Sequence, residues 1–228
     1  MQSIEVLYYP ARALIVNTHI SGGFNMLLKD KVAIITASAS GFGRETALLF
    51  AKEGAKVIAV DYNTLGEKVA EEINRNGGES IFIKADVSCE KDVENFVNKT
   101  MQTFGKIDIL FNNAGIYIPG KADELAVEDW DRVIDINLKS VYLGSKYAVP
   151  HMKEKGGVII NTASAAGIIG FPDAVSYAAS KGGVVSLTKA MAVDYAQYNI
   201  RVNCICPGTG ETGMTKEILE DKSLLKCF

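Results

Sequence analysis

The sequence predicts a single α/β domain built around a doubly wound parallel sheet. Two observations lead to this prediction. Short apolar, β-branched segments alternate with longer segments of helical patterning, and a glycine-containing turn directly follows the first apolar segment. The chain has 228 residues, of which 48% are hydrophobic and 22% charged, and this suits one globular domain with a full core better than two.

Six strands and the helices between them can be read from this alternation. The predicted strands are Val32–Thr36, Lys56–Asp61, Ser80–Lys84, Ile107–Phe111, a strand starting at Val158, and Ile200–Cys206. The predicted helices span about 42–53, 64–76, 89–104, 127–155 and 177–198, with a further candidate at 211–225. Right-handed crossovers with one reversal of direction give strand order 3-2-1-4-5-6, the Rossmann arrangement.

We expect residues 26–228 to form this one domain. Residues 1–25 show no dependable periodicity and are interpreted as an N-terminal extension. They are either an added arm or leader sequence translated from a start codon assigned too early.

The composition excludes several classes of protein. A net charge of −3, with lysines and arginines scattered along the chain, argues against a nucleic-acid partner. No apolar stretch has the length of a membrane span and residues 1–25 lack a signal-peptide pattern, so we expect no membrane attachment and a cytoplasmic location. The four cysteines have no C-x-x-C spacing and lie far from the two histidines in sequence, so neither a metal site nor a disulfide framework is expected.

The turn after the first strand reads TASASGFG, residues 36–43. Gly41 and Gly43 would let the backbone approach a pyrophosphate, and the N-terminus of the following helix would present unpaired N–H groups to it. The predicted contacts within this turn are Thr36, Ser38, Ser40, Gly41, Phe42 and Gly43. By itself the motif also fits tight packing of a helix on a strand.

The second strand ends in Asp61, about twenty residues beyond the glycines. A carboxylate there would accept hydrogen bonds from the adenosine ribose and repel a 2′-phosphate, so Asp61 predicts NAD(H) over NADP(H). The adjacent Tyr62 is also expected to contact the cofactor. The alternative is a solvated aspartate at a strand end.

Polar residues also follow the third and fourth strands. Asp86 and Val87 are predicted to cover the adenine ring, and Asn113, Ala114 and Gly115 to border the cofactor, because ligands bind at the carboxyl ends of strands in open α/β sheets. An ordinary Asn/Gly-rich turn is the alternative for the second segment.

The segment SYAASK, residues 176–181, places Tyr177 and Lys181 four residues apart. On a helix the two side chains share a face, and a neighbouring ammonium lowers the pKa of a phenol from about 10 toward the range useful for acid/base catalysis. The same spacing also occurs on ordinary helix surfaces.

Taken together and in order, these motifs resemble the short-chain dehydrogenase/reductase family, in its NAD-preferring type. The resemblance runs from about residue 29 to residue 214 and includes the glycine turn, Asp61, Asp86–Val87, NNAG, Asn137, Ser164, Tyr177 with Lys181, and Pro207–Gly208 with Thr212 and Met214.

The resemblance implies a role for each catalytic position. Tyr177 would exchange a proton with the substrate oxygen, and Lys181 would lower the pKa of Tyr177 and hold the nicotinamide ribose. Ser164 would hydrogen-bond the reacting oxygen, and Asn137, in DINLKS of the long helix, would anchor the water that relays protons. Pro207, Gly208 and Thr212 would contact the nicotinamide end.

The chain also departs from the family pattern. Ala37 stands where the family usually has the first glycine of the turn, and we expect this change to be tolerated. The chain ends at Phe228 without the sequence for the family's last strand, which would leave the sixth strand at an edge.

The leading interpretation is an enzyme that transfers a hydride between NAD(H) and a small alcohol or carbonyl substrate, the substrate itself not being specified. The loop 116–121 and the segment after Pro207 would select that substrate. The alternative is a catalytically silent or truncated NAD-binding member. The family also implies a homodimer or homotetramer through the helices starting near Val127 and Tyr177, whose apolar residues on several faces include Val141, Leu143, Val184 and Leu187.

Overall fold

A computed structural model describes residues 26–210 of the chain. It confirms the predicted fold class: six parallel strands form one sheet in the order 3-2-1-4-5-6. The strands are β1 Val32–Thr36, β2 Lys56–Asp61, β3 Glu79–Lys84, β4 Ile109–Asn112, β5 Gly157–Thr162 and β6 Ile200–Ile205. Residues 1–25 and the candidate helix at 211–225 lie outside the described residues.

Helices cover both faces of the sheet. They are α1 Gly41–Lys52, α2 Leu65–Arg75, α3 Glu90–Phe104, α4 Val127–Ile134, α5 Ser140–Met152 and α6 Val175–Tyr195. The single helix predicted for 127–155 is interrupted by a π-helical turn, Asp135–Lys139, which separates α4 from α5. The other ends lie within three residues of the prediction, the usual uncertainty at element ends, and both ends of β1 and β2 coincide with it.

Most residues of the central strands are apolar because neither face of the sheet meets water. All five residues of β1 are buried. Successive residues point to opposite layers: Ile34 packs in a core cluster with Phe96 of α3, whereas Ile35 packs in a second cluster with Ile73 of α2. The sheet therefore has one hydrophobic core on each face.

A chain of buried polar side chains joins β4, β5 and α6. The Asn112 amide donates to Oδ1 of Asn161 at 2.9 Å, and the Asn161 amide donates to Oγ1 of Thr188 at 2.9 Å. Thr188 in turn donates to the carbonyl of Val184 at 2.7 Å. Each side chain of this network is therefore hydrogen-bonded, as buried polar groups usually are.

The residues cited for subunit contacts mostly serve the chain's own core. Val141, Leu143 and Val184 are at most 2% exposed, so their apolar character is explained within one chain and the sequence argument from them was wrong. Leu187 is half-buried against the same core. Exposed apolar residues on these helices are instead Tyr142 of α5 and Val193 of α6.

β6 lies at the edge of the sheet and, within residues 26–210, pairs only with β5. None of the helices in that range is long and apolar enough to cross a bilayer. Nor does that range contain a group of three histidine, cysteine, aspartate or glutamate residues placed to hold a metal ion.

Asn161→Ala is expected to lower the free energy of unfolding by about 2–4 kcal/mol, because it removes the acceptor of the buried Asn112 amide and the donor to the Thr188 hydroxyl, and opens a void. Urea denaturation measures the loss. The matched control is Asn203→Ala on β6, where the side chain is exposed and a change below about 0.5 kcal/mol is expected. Equal losses in the two variants would contradict a structural role for the buried network.

Candidate active site

In the turn between β1 and α1, the backbone at Gly43 packs directly against the backbone at Ala37. A β-carbon on Gly43 would collide with the carbonyl oxygen of Ala37 and would lie 2.8 Å from Nδ2 of Asn113. Gly43 therefore serves the tight packing of the turn, and only Gly41 of the two glycines lines the cleft. Ala37 takes the left-handed conformation, φ +53°, at a cost of about 1 kcal/mol that a glycine would not incur.

The N-terminus of α1 faces the cleft with unpaired donors. The first helical bond runs from the Arg44 N–H to the Ser40 carbonyl, and the Ser40 side chain makes no capping bond. The N–H groups of Gly41, Phe42 and Gly43 precede that bond, so the helix presents its positive end to the cleft. This is a suitable site for a phosphate.

Two residues predicted to touch the cofactor instead hold the turn together. Ser38 is fully buried, and both its N–H and its hydroxyl donate to the carbonyl of Val60. Thr36 Oγ1 accepts the N–H groups of Asn113 at 2.9 Å and Ala114 at 3.1 Å. Neither Ser38 nor Thr36 lines the cleft, whereas Ser40, Phe42 and Asn113 do.

One half of the cleft is built around carboxylates. The two oxygens of Asp61 accept the N–H groups of Ala39 at 2.8 Å and Asn63 at 2.7 Å, so the turn itself orients this side chain. Asp86 accepts the hydroxyl of Ser88 at 2.6 Å. The predicted residues Asp61, Tyr62, Asp86, Val87, Ala114 and Gly115 all line this half.

Charged residues of α4 and the π turn form the opposite wall of this half: Glu128, Asp131, Arg132 and Asp135. The sequence interpretation missed them. Acidic residues in a first helical turn are commonly explained by the helix dipole, and VEDWDR carries no other signal.

The other half of the cleft contains the predicted catalytic residues. Ser164, Tyr177 and Lys181 line it together with Pro207 and Gly208, while Thr212 lies outside the described residues. Tyr177 lies in the first turn of α6, and the Lys181 ammonium is 5.7 Å from the centre of its ring. Ala37, Asn113 and Gly115 also border this half, and Ala37 and Gly115 border both halves, so the cleft is continuous.

Lys181 is almost completely buried. Its side chain is 2% exposed, and Nζ donates to the carbonyl of Thr162 at 2.7 Å. Burial lowers the pKa of Lys181 from 10.5 to about 8, although the neighbouring Cys206 acts in the opposite direction. The lysine is therefore still mostly an ammonium at neutral pH.

The pKa of Tyr177 differs from the expectation. Burial raises it above its ordinary value, and a hydrogen bond with Ser164 lowers it only in part. Lys181 was expected to lower this pKa, but its ammonium is directed at the Thr162 carbonyl. The protonated phenol is thus the stable form of Tyr177 at neutral pH in this arrangement.

Asn137 is fully buried in the π turn and holds the loop that follows β4. Its Oδ1 accepts the N–H of Ile116 at 2.8 Å, and its amide donates to the Ile116 carbonyl at 2.9 Å and to Oγ of Ser180 at 3.1 Å. A β-carbon on Gly115 would lie 3.2 Å from Nζ of Lys181 and 3.4 Å from Oδ1 of Asn137. Asn137, Gly115 and Lys181 therefore meet at one point behind the cleft.

A family model described as short chain dehydrogenase matches residues 31–223. The chain belongs to the short-chain dehydrogenase/reductase family. An uncharacterized oxidoreductase of Thermotoga maritima is 46% identical over 189 residues, covering 82% of this chain and 74% of that protein. Another from Bacillus subtilis is 45% identical over 197 residues, covering 86% of this chain and 72% of that protein.

Solved structures of short-chain dehydrogenases/reductases resemble the whole described fold. Levodione reductase superposes with a TM-score of 0.82 at 38% identity, covering 88% of this chain and 81% of that one. A short chain dehydrogenase from Mycobacterium smegmatis superposes with a TM-score of 0.77 at 32% identity, covering 80% of this chain and 78% of that one. This short-chain dehydrogenase/reductase is therefore an oxidoreductase of CH–OH or carbonyl groups, and its family implies a nicotinamide cofactor.

The residues present fit such a cofactor. The unpaired N–H groups of α1 suit a pyrophosphate, and Asp61 suits a ribose diol.

Replacing Lys181 by Met is expected to remove the part of the free energy of unfolding that changes with pH as Lys181 titrates. In the unfolded chain a lysine keeps its proton up to about pH 10.5, whereas the folded chain loses it near pH 8, so the unfolded state binds more protons between these values. The native protein should therefore gain stability relative to Lys181→Met as pH rises from 8 to 10.5, by on the order of 3 kcal/mol in full.

Denaturation of both proteins across that pH range measures the difference. Lys189→Met, which changes an exposed lysine of the same helix, supplies the baseline. Parallel curves for the wild type and Lys181→Met would show that Lys181 is not held in a charge-disfavouring environment.

Proposed function

We propose that this short-chain dehydrogenase/reductase transfers a hydride between NAD(H) and an alcohol or carbonyl substrate, with Tyr177 as general acid/base. The observation that carries the proposal is the convergence of Ser164, Tyr177 and Lys181 on the cleft into which the N-terminus of α1 points. When bound, the nicotinamide supplies or accepts the hydride, and the protein supplies position and proton transfer.

Tyr177 gives its phenolic proton to the substrate oxygen during reduction and takes it back during oxidation. The phenol carries its proton at neutral pH, since burial keeps its pKa above an ordinary value that is already about 10, so the proton needed for reduction is in place. Ser164 donates a hydrogen bond to the same oxygen as charge develops on it. The Lys181 ammonium, which bonds the Thr162 carbonyl and lies 5.7 Å from the centre of the ring, is assigned the nicotinamide ribose.

Asn137 and Lys181 complete the proton path in this proposal. Asn137 holds both backbone groups of Ile116, and Gly115 leaves the space between Asn137 and Nζ of Lys181 without a side chain. We assign to Asn137 the anchoring of the water that passes protons through Lys181. The second lone pair of Oδ1 supports this assignment, because among the described residues Oδ1 accepts only the Ile116 N–H.

The preference for NAD(H) rests on the charge of the adenosine half of the cleft. Asp61 is oriented into that half by two backbone N–H groups, and a 2′-phosphate beside its carboxylate would be repelled. Asp86, Asp131 and Asp135 add negative charge around the same space.

The substrate is proposed to be an uncharged carbonyl compound or its alcohol. Ile168 and Ile169, four and five residues after Ser164, are 66% and 49% exposed, and Tyr117 packs on Tyr177, so we propose that these apolar groups border the substrate. Levodione, taken from the name of the neighbour with a TM-score of 0.82, is a rational first compound for a screen.

A homodimer or homotetramer and a cytoplasmic location complete the proposal. The exposed side chains of Tyr142 on α5 and Val193 on α6 support association through these helices. The buried residues Val141, Leu143 and Val184 do not support it, because they pack in the chain's own core. Light scattering at working concentration tests the assembly, and a strictly monomeric mass would contradict it.

Tyr177→Phe is expected to lower turnover by about 10²–10⁴-fold, since removal of the proton donor removes general acid catalysis. NADH binding, followed as thermal stabilisation, should change little. The control Tyr142→Phe alters an exposed tyrosine of α5 and should keep full turnover. Retained turnover in Tyr177→Phe would overturn the mechanism, and a native chain that binds NADH but turns over no alcohol or ketone would favour a silent binding protein.

Asp61→Asn is expected to narrow the preference for NADH over NADPH by roughly tenfold, because one negative charge near the 2′-phosphate is lost. The variant will also lose stability, since an amide cannot accept both backbone N–H groups, so the ratio of the two dissociation constants is the readout. Asp123→Asn, an exposed site outside the cleft, should leave this ratio unchanged. An unaltered ratio in Asp61→Asn would show that this carboxylate does not select the cofactor.

A further inference from the structure

Two loops meet directly in front of Tyr177. The loop 117–120 after β4 contacts residues 173–175, which lead into α6, and together they form what we call the clasp. The carbonyl oxygen of Asp173 accepts both the Tyr117 hydroxyl at 3.1 Å and the Gly120 N–H at 2.8 Å. The Val175 N–H donates to the Gly120 carbonyl at 3.4 Å, and Gly120 and Ala174 form an isolated parallel bridge. The clasp thus joins the β4 loop to the start of the helix that carries Tyr177.

The backbone at the centre of the clasp is strained. Asp173 has φ +50°, a left-handed conformation that costs a non-glycine residue about 1–2 kcal/mol. Such a conformation persists only where surrounding contacts determine it. Here the determining contacts are the two hydrogen bonds to its own carbonyl, one of which comes from Tyr117.

The ring of Tyr117 touches the ring of Tyr177. Their centroids are 5.4 Å apart and their planes meet at 85°, an edge-to-face contact of the kind that aromatic pairs prefer. Tyr117 is half-buried, so this contact is partly shielded from water. One side chain therefore holds the proposed acid/base in two ways, through the backbone that precedes it and through its ring.

The other end of the loop is also fixed. Ile116, the residue before Tyr117, has both backbone groups bonded to Asn137. Tyr117 consequently extends from an anchored backbone. Its ring is therefore held in place where it contacts the ring of Tyr177.

We infer that Tyr117 is a positioning residue, which fixes the Tyr177 phenol in line with Ser164 and Lys181 through the clasp and the ring contact. This inference rests on the proposed role of Tyr177. It assigns Tyr117 no proton transfer and no bond to the cofactor. A loss of its ring should therefore reduce the rate of the chemical step more than the binding of either partner.

The test compares Tyr117→Leu with Tyr117→Phe in the full chain. Tyr117→Leu removes ring and hydroxyl, and we expect kcat to fall about tenfold while the KM for NADH stays within about twofold. Tyr117→Phe keeps the ring and should recover most of the lost kcat. A wild-type kcat in Tyr117→Leu would overturn the inference, and so would a Phe variant as slow as the Leu variant.

A double variant separates positioning from general destabilisation. In a Tyr177→Phe background the ring has no phenol to align, so adding Tyr117→Leu should not lower the residual turnover further. A further tenfold loss there would contradict positioning through Tyr177. The proposed function fails separately, through full activity of Tyr177→Phe alone, so the two failures are distinguishable.

Discussion

The hydroxyl of Thr36 holds the ends of the two central strands together where the cleft opens. It accepts the N–H groups of Asn113 and Ala114, and the Asn113 amide returns a hydrogen bond to the Thr36 carbonyl at 3.2 Å. Asn113 also accepts the Thr162 hydroxyl at 3.2 Å, which brings in the end of β5. Three carboxyl ends of the sheet are thereby held at fixed spacing, and the cofactor turn, Lys181 and the β4 loop are all placed relative to them.

The interior of this site is polar, and its order comes from the directional bonds that buried polar groups require. Lys181 reaches the Thr162 carbonyl, Asn137 reaches both backbone groups of Ile116, and Asn161 links two strands to a helix. Because an unpaired buried donor is costly, each of these residues permits few side-chain orientations. The fold itself therefore fixes the orientation of these side chains.

Much of the fold and most of the residues lining the cleft could be predicted from the sequence. The periodicity of apolar residues, the residue types in turns and the ends of strands are all local properties of the sequence. The strand order, Asp61, Ser164, Tyr177 and Lys181 were found in this way. Ser38 was misplaced because a hydroxyl beside a glycine turn gives no sign of whether it faces a ligand or, as here, the Val60 carbonyl.

Other errors arose from long-range packing. The π turn at Asp135–Lys139 is invisible to helical periodicity, and the apolar character of Val141 and Val184 does not say whether a core or a second subunit covers them. The contact between Tyr117 and Tyr177 joins residues sixty positions apart in sequence, and no local pattern marks it.

The complete burial of β1 has a consequence for synthesis. VAIIT emerges from the ribosome early, yet its neighbour on one side, β4, is complete only when Asn112 has been made. For that interval an uncharged, β-branched strand has an unpaired edge, the kind of segment that associates with other chains. The same apolar run that stabilises the centre of the mature sheet leaves this edge open to association until β4 has been made.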